Sequence, residues 1–514
     1  MSNQATQPRR GPSELVADDS SFPRMAGLAG LFLSLFGLLT IGLTVAGQNV
    51  NISSTWAGVS LISGLASLLY HAAFEKDSFL RRPYMIVGMV FLLSGMALVL
   101  LPLFRSEAPG LLAGHAGLIV GMMFLFAFLR NEESIGLVAL SRLFLGLSGG
   151  ILVLTGALGG QIKPDMLLPH FALLGLTGTI LLAAFYSILG NNSILGRKAS
   201  RFIFYLGWIG VAVALFRSIY PQMVFTLGWS NVRPNSFWVP AGFILALVGG
   251  LQVLVSLLFN SENKLIILTR RELGSFFYSP IAYFVLFAFS GATWFSYSTF
   301  LEDLVPAGPM SQPAVEPIVR FYVISLFTVL VVIFSVPLLT MRLISEEKRT
   351  ATLEVLLTAP VDETTVTLAK FLAGFLTYLM VWIPFITYLV ALPLSGAPVF
   401  DYRPLLAFLI GLAATGAGFI AVGLFFSSLS SNQIIGAALT LAFMIAMLLP
   451  YIIRFQPAIA NSPWSTVLQH ISFLDVWANN LSGKLVPRQL VFPISLAVLA
   501  LFGTVKVLEA RKWK

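Results

Sequence analysis

Thr340–Lys370 reads TMRLISEEKRTATLEVLLTAPVDETTVTLAK. It is a charged, amphipathic island between two long apolar runs, Phe321–Leu339 and Phe371–Leu392. Asp, Glu, Lys and Arg make up only 10% of the chain, so their concentration here marks a segment that meets water. Leu353, Leu356 and Leu357 fall at helical spacing on one face. Pro360 ends that helix, and Val361–Thr365 supplies a turn and an N-cap for the next one, which enters the second apolar run. A short loop suffices to join two spans, so a segment this long and this patterned predicts a surface that docks a partner.

A second island lies upstream. Asn263–Phe277 mixes Leu265, Ile266, Leu268 and Leu273 with Lys264, Arg270, Arg271 and Glu272. That mixture predicts a helix lying in the membrane interface, apolar side in lipid and basic side in water. It ends at Ser279–Pro280, where the next apolar run begins.

The rest of the chain is what these islands interrupt. Of 514 residues, 57% are hydrophobic, and the mean hydropathy is +0.89. Soluble domains are about 45–50% apolar and about 25% charged, so a soluble globular class is excluded. Cysteine is absent, which excludes disulfides and thiolate-bound metals. The net charge of +9 does not indicate nucleic acid, because the basic residues sit at the ends of apolar runs.

A bilayer core of about 30 Å takes roughly 20 apolar residues per helix, and backbone groups in lipid must pair internally, so the runs are helices. The first series is Ala26–Gly47, Trp56–Phe74, Tyr84–Phe104, Gly110–Leu129, Gly136–Leu158, Met166–Leu189, Phe202–Tyr220 and Trp238–Phe259. The second is Pro280–Ser298, Phe321–Leu339, Phe371–Leu392, Leu405–Leu429, Ile434–Ile453 and Leu490–Val507. The expected fold is all-α and polytopic, with about 14 transmembrane helices in an eight-plus-six arrangement. Residues 1–25 form a polar tail, 26–260 a first membrane region, and 261–514 a second domain of six helices.

Lys and Arg at the helix ends set the orientation. With Arg9, Arg10 and Arg24 in the cytoplasm, so are Lys76, Arg81, Arg82, Arg130 and the Arg197–Lys198–Arg201 cluster. Arg270, Arg271, Arg342, Lys348, Arg349 and the tail from Arg511 to Lys514 fall on the same side. Both termini are therefore expected to be cytoplasmic. Phe300–Arg320 and Phe455–Pro487 become the long outer loops.

Several chemistries find no support. No phosphate-cradling G-x-x-x-x-G-K-[ST] loop occurs. His71, His115, His170 and His470 show no metal-binding spacing. Gly146–Gly150 spells G-x-S-x-G, but inside an apolar run, where small residues serve helix packing. Gly159–Gly160 and Gly249–Gly250 are read the same way. Arg142 and Arg217 lie near the ends of their runs and are expected to snorkel to the interface.

The pairing of RRELGSFFYSPIAYFV (Arg270–Val285) with LTMRLISEEKRTATLEVLLTAPV (Leu339–Val361) resembles the permease of type 2 ABC exporters. Within that family it most resembles the gliding-motility-associated GldF-like branch, as does the tail VKVLEARKW (Val505–Trp513). The resemblance covers about Ser261–Lys514. It implies that residues 263–277 are the elbow helix, with Arg270, Arg271 and Glu272, and that residues 340–370 hold the coupling helix. The family's E-E-K-x-x-x-T-L-E pattern falls on Glu346, Glu347, Thr352, Leu353 and Glu354, and Leu357 continues the same face.

The resemblance further implies a multi-pass protein of the bacterial inner membrane that exports a substrate. This chain would bind no cofactor and catalyse nothing itself. ATP and Mg would be held by a separate ATP-binding cassette ATPase subunit docked on both helices. A second permease copy or a related permease would complete the pore, with membrane lipid as the remaining partner. Two other readings stay open. One is a membrane scaffold for a cell-surface or motility assembly. The other is an ion-coupled secondary transporter, which would need acidic residues at mid-membrane, and the runs hold almost none.

Overall fold

The computed structural model describes residues 21–45, 54–104, 111–130, 132–162, 170–189, 194–234, 237, 241–278, 280–304, 319–352, 361–385, 388 and 403–511. Among the described residues the regular structure is entirely helical. Eleven of these helices are long and apolar enough to cross a bilayer, or twelve if the bent pair Phe243–Phe259 and Lys264–Phe276 counts as one span. The described parts of the expected runs are largely helical, and Ala113–Leu129 and Ala172–Ser187 are shorter apolar helices outside the eleven.

The chain divides into two compact units. One comprises Met1–Val153 and Ile180–Ile188, the other Leu154–Thr179 and Leu189–Lys514. In the first, Ser21–Val45 packs along Ser54–Phe74, and Ser78–Leu100 along Leu111–Leu129. Ion pairs tie the ends of these helices. Arg24 and His71 stand 3.4 and 3.3 Å from Glu75, His71 Nδ1 is 2.8 Å from the Tyr84 hydroxyl, and Arg81 lies 3.6 Å from Glu132. Ser148 is mid-helix in Ile135–Ile162 and donates to the Phe144 carbonyl at 2.7 Å. Gly146–Gly150 is thus continuous helix and not a nucleophile elbow.

In the second unit, Ile194–Thr226 and Phe243–Asn260 form a close pair. A Cβ built on Gly249 would lie 2.7 Å from the Gly207 carbonyl oxygen, so only glycine permits this approach. Arg217 is exposed and stands 4.2 Å over the Phe237 ring in a cation–π contact.

The remaining helices surround an aromatic core. Trp382, Trp477, Phe385, Phe408, Tyr322 and Phe289 are all essentially inaccessible. Tyr322 stacks on Phe385 at 4.0 Å between centroids and donates its hydroxyl to the Phe385 carbonyl at 3.1 Å. Two expectations are corrected here. The run Phe321–Leu339 is not one helix: Val319–Val323 stops, and Leu326–Thr340 restarts after Ser325. Ser325 is extended, caps the new helix through the Thr328 N–H at 3.2 Å, and meets the Ser296 hydroxyl at 2.5 Å. The interruption is therefore satisfied by side chains, as lipid-embedded backbone requires.

The segment Phe455–Pro487 is likewise not simply an outer loop. It folds into Pro457–Ala460, Pro463–Ile471 and Phe473–Leu481. The last of these is buried along most of its length. Its Trp477 donates to Thr415 at 3.0 Å, and its Asp475 pairs with Arg454 at 2.7 Å.

Gly249→Leu is expected to overpack the Gly207 contact and destabilise the protein by about 1–3 kcal/mol. A lowered melting temperature in detergent checks this, with Gly250→Leu, a position open to space, as the tolerated control.

Candidate functional site

The second unit carries a charged site at one end of its helices, built from four segments. The first is the surface helix Lys264–Tyr278, which turns by 96° from the helix before it. A bend of this size is compatible with the interfacial helix that the amphipathic pattern predicts. Asn263 opens it by accepting from the Leu265 N–H at 2.9 Å. Its inner face is not bathed in lipid, however. Thr269 is buried, and the helix packs along Glu363–Val381.

The second segment follows the span Leu326–Thr340. The chain turns through Met341–Ile344 and forms the short helix Ser345–Arg349. Ile344 at the N-cap position has no side-chain oxygen to cap the new helix. Ser427, on the third segment Arg403–Leu429, does that work from outside. Its hydroxyl accepts from the Ile344 and Ser345 N–H groups, each at 3.1 Å, and donates to the Met341 carbonyl at 3.2 Å. Lys348 also donates to the Ser428 carbonyl. The short helix closes through Ala351 at φ 57°, the left-handed region that glycine normally fills.

The fourth segment is the helix Glu363–Val381. Asp362 caps it, accepting from the Thr365 N–H at 3.2 Å and the Thr365 hydroxyl at 2.5 Å. Hydrogen bonds from the Thr365 and Thr364 hydroxyls hold the Asp362 carboxyl down at about 2. A depressed carboxylate stabilises the fold above its ordinary range and loses that contribution only as pH falls toward its lowered value. The cap is therefore fully charged at neutral pH.

Lys370 joins these parts. It lies two turns into the Glu363–Val381 helix, and its side chain is only 2% exposed. Its ammonium donates to Glu272 of the surface helix at 3.0 Å and to Glu347 of the short helix at 2.6 Å. Arg271 pairs with Glu272 at 2.8 Å, and Arg342 with Glu346 at 2.6 Å. Beside this network opens a cavity of about 450 Å³.

The site residues expected from the sequence are distributed as follows. Arg271, Glu272, Glu346, Glu347 and Thr352 all line that cavity. Arg270 turns elsewhere and reaches the Phe259 carbonyl at 3.4 Å. Leu353, Glu354 and Leu357 lie outside the described residues. Sequence reasoning missed the roles of Lys370, Arg342 and Ser427. Lys370 carried a signal, since TVTLAKFLAG places one cation within the apolar part of a capped helix. Ser427 carried none, because nothing local distinguishes a hydroxyl that caps another segment.

Residues 309–479 match the family described as ABC-2 family transporter protein. The match contains the short helix, Lys370 and Ser427, and it supports a permease component of an ABC transporter. No curated protein and no solved structure matches the chain.

Two stability effects follow from the geometry. Lys370→Met takes the cation from Glu347 and leaves Glu272 with Arg271 alone, and is expected to cost about 3–5 kcal/mol. Adding Glu272→Gln and Glu347→Gln should recover most of it, and detergent melting curves of the single and triple variants measure both. Ala351→Gly removes a left-handed alanine and is expected to gain about 1 kcal/mol by the same assay.

Proposed function

We propose that this chain is the membrane permease subunit of an ATP-driven exporter. A separate ATP-binding cassette subunit, holding ATP and Mg, docks at the cytoplasmic face on the surface helix and on residues 340–370. Residues 261–514 form the permease domain, in the bacterial inner membrane, and the resemblance to the GldF-like branch belongs to this reading. A second copy or a related permease pairs with it. The family match over residues 309–479 supports the permease assignment.

The observation that carries the coupling role is the Lys370 clamp. A docking segment does mechanical work only if its displacement reaches the spans. Here Glu347 and Glu272 sit on the two docking elements and share one ammonium on a spanning helix. Ser427 and Ser428 add hydrogen bonds to a second spanning helix. A partner that pushes on residues 345–352 moves both helices together, because the polar contacts between them are buried and costly to break.

The test is co-purification in mild detergent with an ATP-binding cassette subunit encoded beside this chain. The parent protein is expected to retain that subunit, and Leu353→Asp, on the leucine face of the coupling segment, to lose it at least tenfold. A folded parent that retains no such subunit overturns the reading. So does a Leu353→Asp variant that binds it and supports its ATPase activity undiminished.

A further inference from the structure

The helix Ile194–Thr226 carries a cluster of cations that the Lys370 clamp and its docking surface do not use. Arg197, Lys198 and Arg201 stand in its first turns, and from Met166 to Ser261 the chain contains no Asp or Glu. Cations at other helix ends take acidic partners, as Arg24 takes Glu75, Arg81 takes Glu132 and Arg342 takes Glu346. Among the described residues Arg197, Lys198 and Arg201 take none, and Glu262, the next acid along the chain, pairs with none of them. The bias of Lys and Arg toward one side of a membrane accounts for the side on which they lie. It does not account for three together on a stretch without acids.

The cluster faces outward. Ser200 and Gly207 turn toward the helix Phe243–Asn260, where the Ser200 hydroxyl donates to the Ser256 carbonyl at 3.3 Å and Gly207 meets Gly249. Lys198, Arg201 and Tyr205, spaced three and four residues apart, share another face and are exposed. Phe202 and Trp208 flank them, and Ile209 and Phe216 continue the exposed stripe toward the middle of the helix. Of the eleven candidate spans this one is the least buried. Its 31 residues extend about 46 Å at 1.5 Å per residue, beyond a hydrocarbon core of about 30 Å. The turns that bear the cations therefore have the length to reach head-group depth, where Tyr and Trp also gather. Arg270 of the surface helix donates to the Phe259 carbonyl at 3.4 Å, one turn beyond Ser256, and adds positive charge to the same end of the pair.

We propose that the face formed by Lys198, Arg201 and Tyr205 binds an anionic glycerophospholipid, of which phosphatidylglycerol is the simplest. The phosphate lies between the Lys198 ammonium and the Arg201 guanidinium, whose forked N–H groups suit two of its oxygens. Arg197, partly buried beside them, adds charge. The Tyr205 O–H and Trp208 N–H are donors at the next turn, toward the glycerol, and the acyl chains run along Phe202, Ile209 and Phe216. A zwitterionic lipid brings an ammonium of its own, which the cluster repels. An acidic protein would satisfy the cations but has no use for an exposed aromatic and aliphatic stripe that continues into the bilayer. The site requires no ATPase subunit and does not rest on the permease assignment.

The experiment reads the fluorescence of Trp208 in the full-length chain, reconstituted in phosphatidylcholine vesicles. A minor fraction of the lipid is phosphatidylglycerol brominated on its acyl chains or, in a parallel set, phosphatidylcholine brominated in the same way. Bromine quenches the tryptophans it touches, and the difference between the parent and Trp208→Phe isolates the Trp208 signal. At equal bromolipid content, phosphatidylglycerol is expected to quench Trp208 about fivefold more effectively. Lys198→Gln with Arg201→Gln is expected to abolish that preference. Lys76→Gln with Arg82→Gln removes the same charge from two exposed residues that lie close in the chain to Glu75 and Asp77, and is expected to leave the preference intact. Equal quenching by the two lipids in the parent overturns the proposal and leaves the cluster to an acidic partner. A preference that survives Lys198→Gln with Arg201→Gln also overturns it. So does one lost equally in the Lys76 and Arg82 variant, which reports the field of the whole chain. A preference abolished by inorganic phosphate at constant ionic strength overturns the lipid as the source. Loss of the ATPase subunit in co-purification leaves these measurements unaffected, so the two readings fail separately.

Discussion

A lysine with 2% of its side chain exposed organises the charged end of this protein. An ammonium in that position is tolerable only if its protons are taken up by acceptors of opposite charge. Lys370 finds two carboxylates on two different segments, Glu272 and Glu347, and so dictates where both segments lie. The surface helix is amphipathic and packs along Glu363–Val381, and this contact sets its register there. The short helix Ser345–Arg349 has five residues, too few to be stable alone. The ion pairs fix both, and the Ser427 hydroxyl completes the second by supplying the cap its own sequence lacks.

That dependence explains why the island between the spans is long. A turn of a few residues would connect Leu326–Thr340 to Glu363–Val381 equally well. The extra residues bring Glu346, Glu347 and Lys348 to three different segments, where each finds a partner. Stability alone would be served as well by apolar residues, since buried ion pairs roughly break even against hydrophobic replacements. A charged junction is directional, however. It holds one register of the three segments and penalises the others. A surface that transmits a push from a docked subunit requires such a property.

Much of this was legible in the sequence, and the limits have physical causes. Span positions follow from apolar run length, and the Asp362 cap from the Val361–Thr365 turn, because both depend on residues close in the chain. The surface helix was visible from its mixed faces, although its inner face packs on protein rather than lipid. Hidden from such reading were contacts that join distant residues. Ser325 interrupts an apolar run because Ser296 and Thr328 satisfy its hydroxyl. Phe473–Leu481 enters the core because Thr415 accepts from its Trp477 and Arg454 pairs with its Asp475. Ser296, Thr415 and Arg454 all lie many turns away in the chain from the residues they explain. For the same reason Lys370 read as the edge of a polar island rather than its centre.

The two kinds of polar contact in the second unit divide the work between them. Near the aromatic core neutral contacts predominate, as in Ser296–Ser325–Thr328 and Trp477–Thr415, with the single pair Asp475–Arg454 beside them. Hydroxyls bond within a helix or across to the next, so they tolerate small shifts of one span against another. At the charged end the contacts are ionic, and separating them in a low-dielectric setting costs far more. The structure is therefore stiff where a partner would grip it and more compliant toward the core of the bundle. The proposed coupling role needs that distribution, because a motion applied at the surface must arrive undiminished at helices that are still able to part.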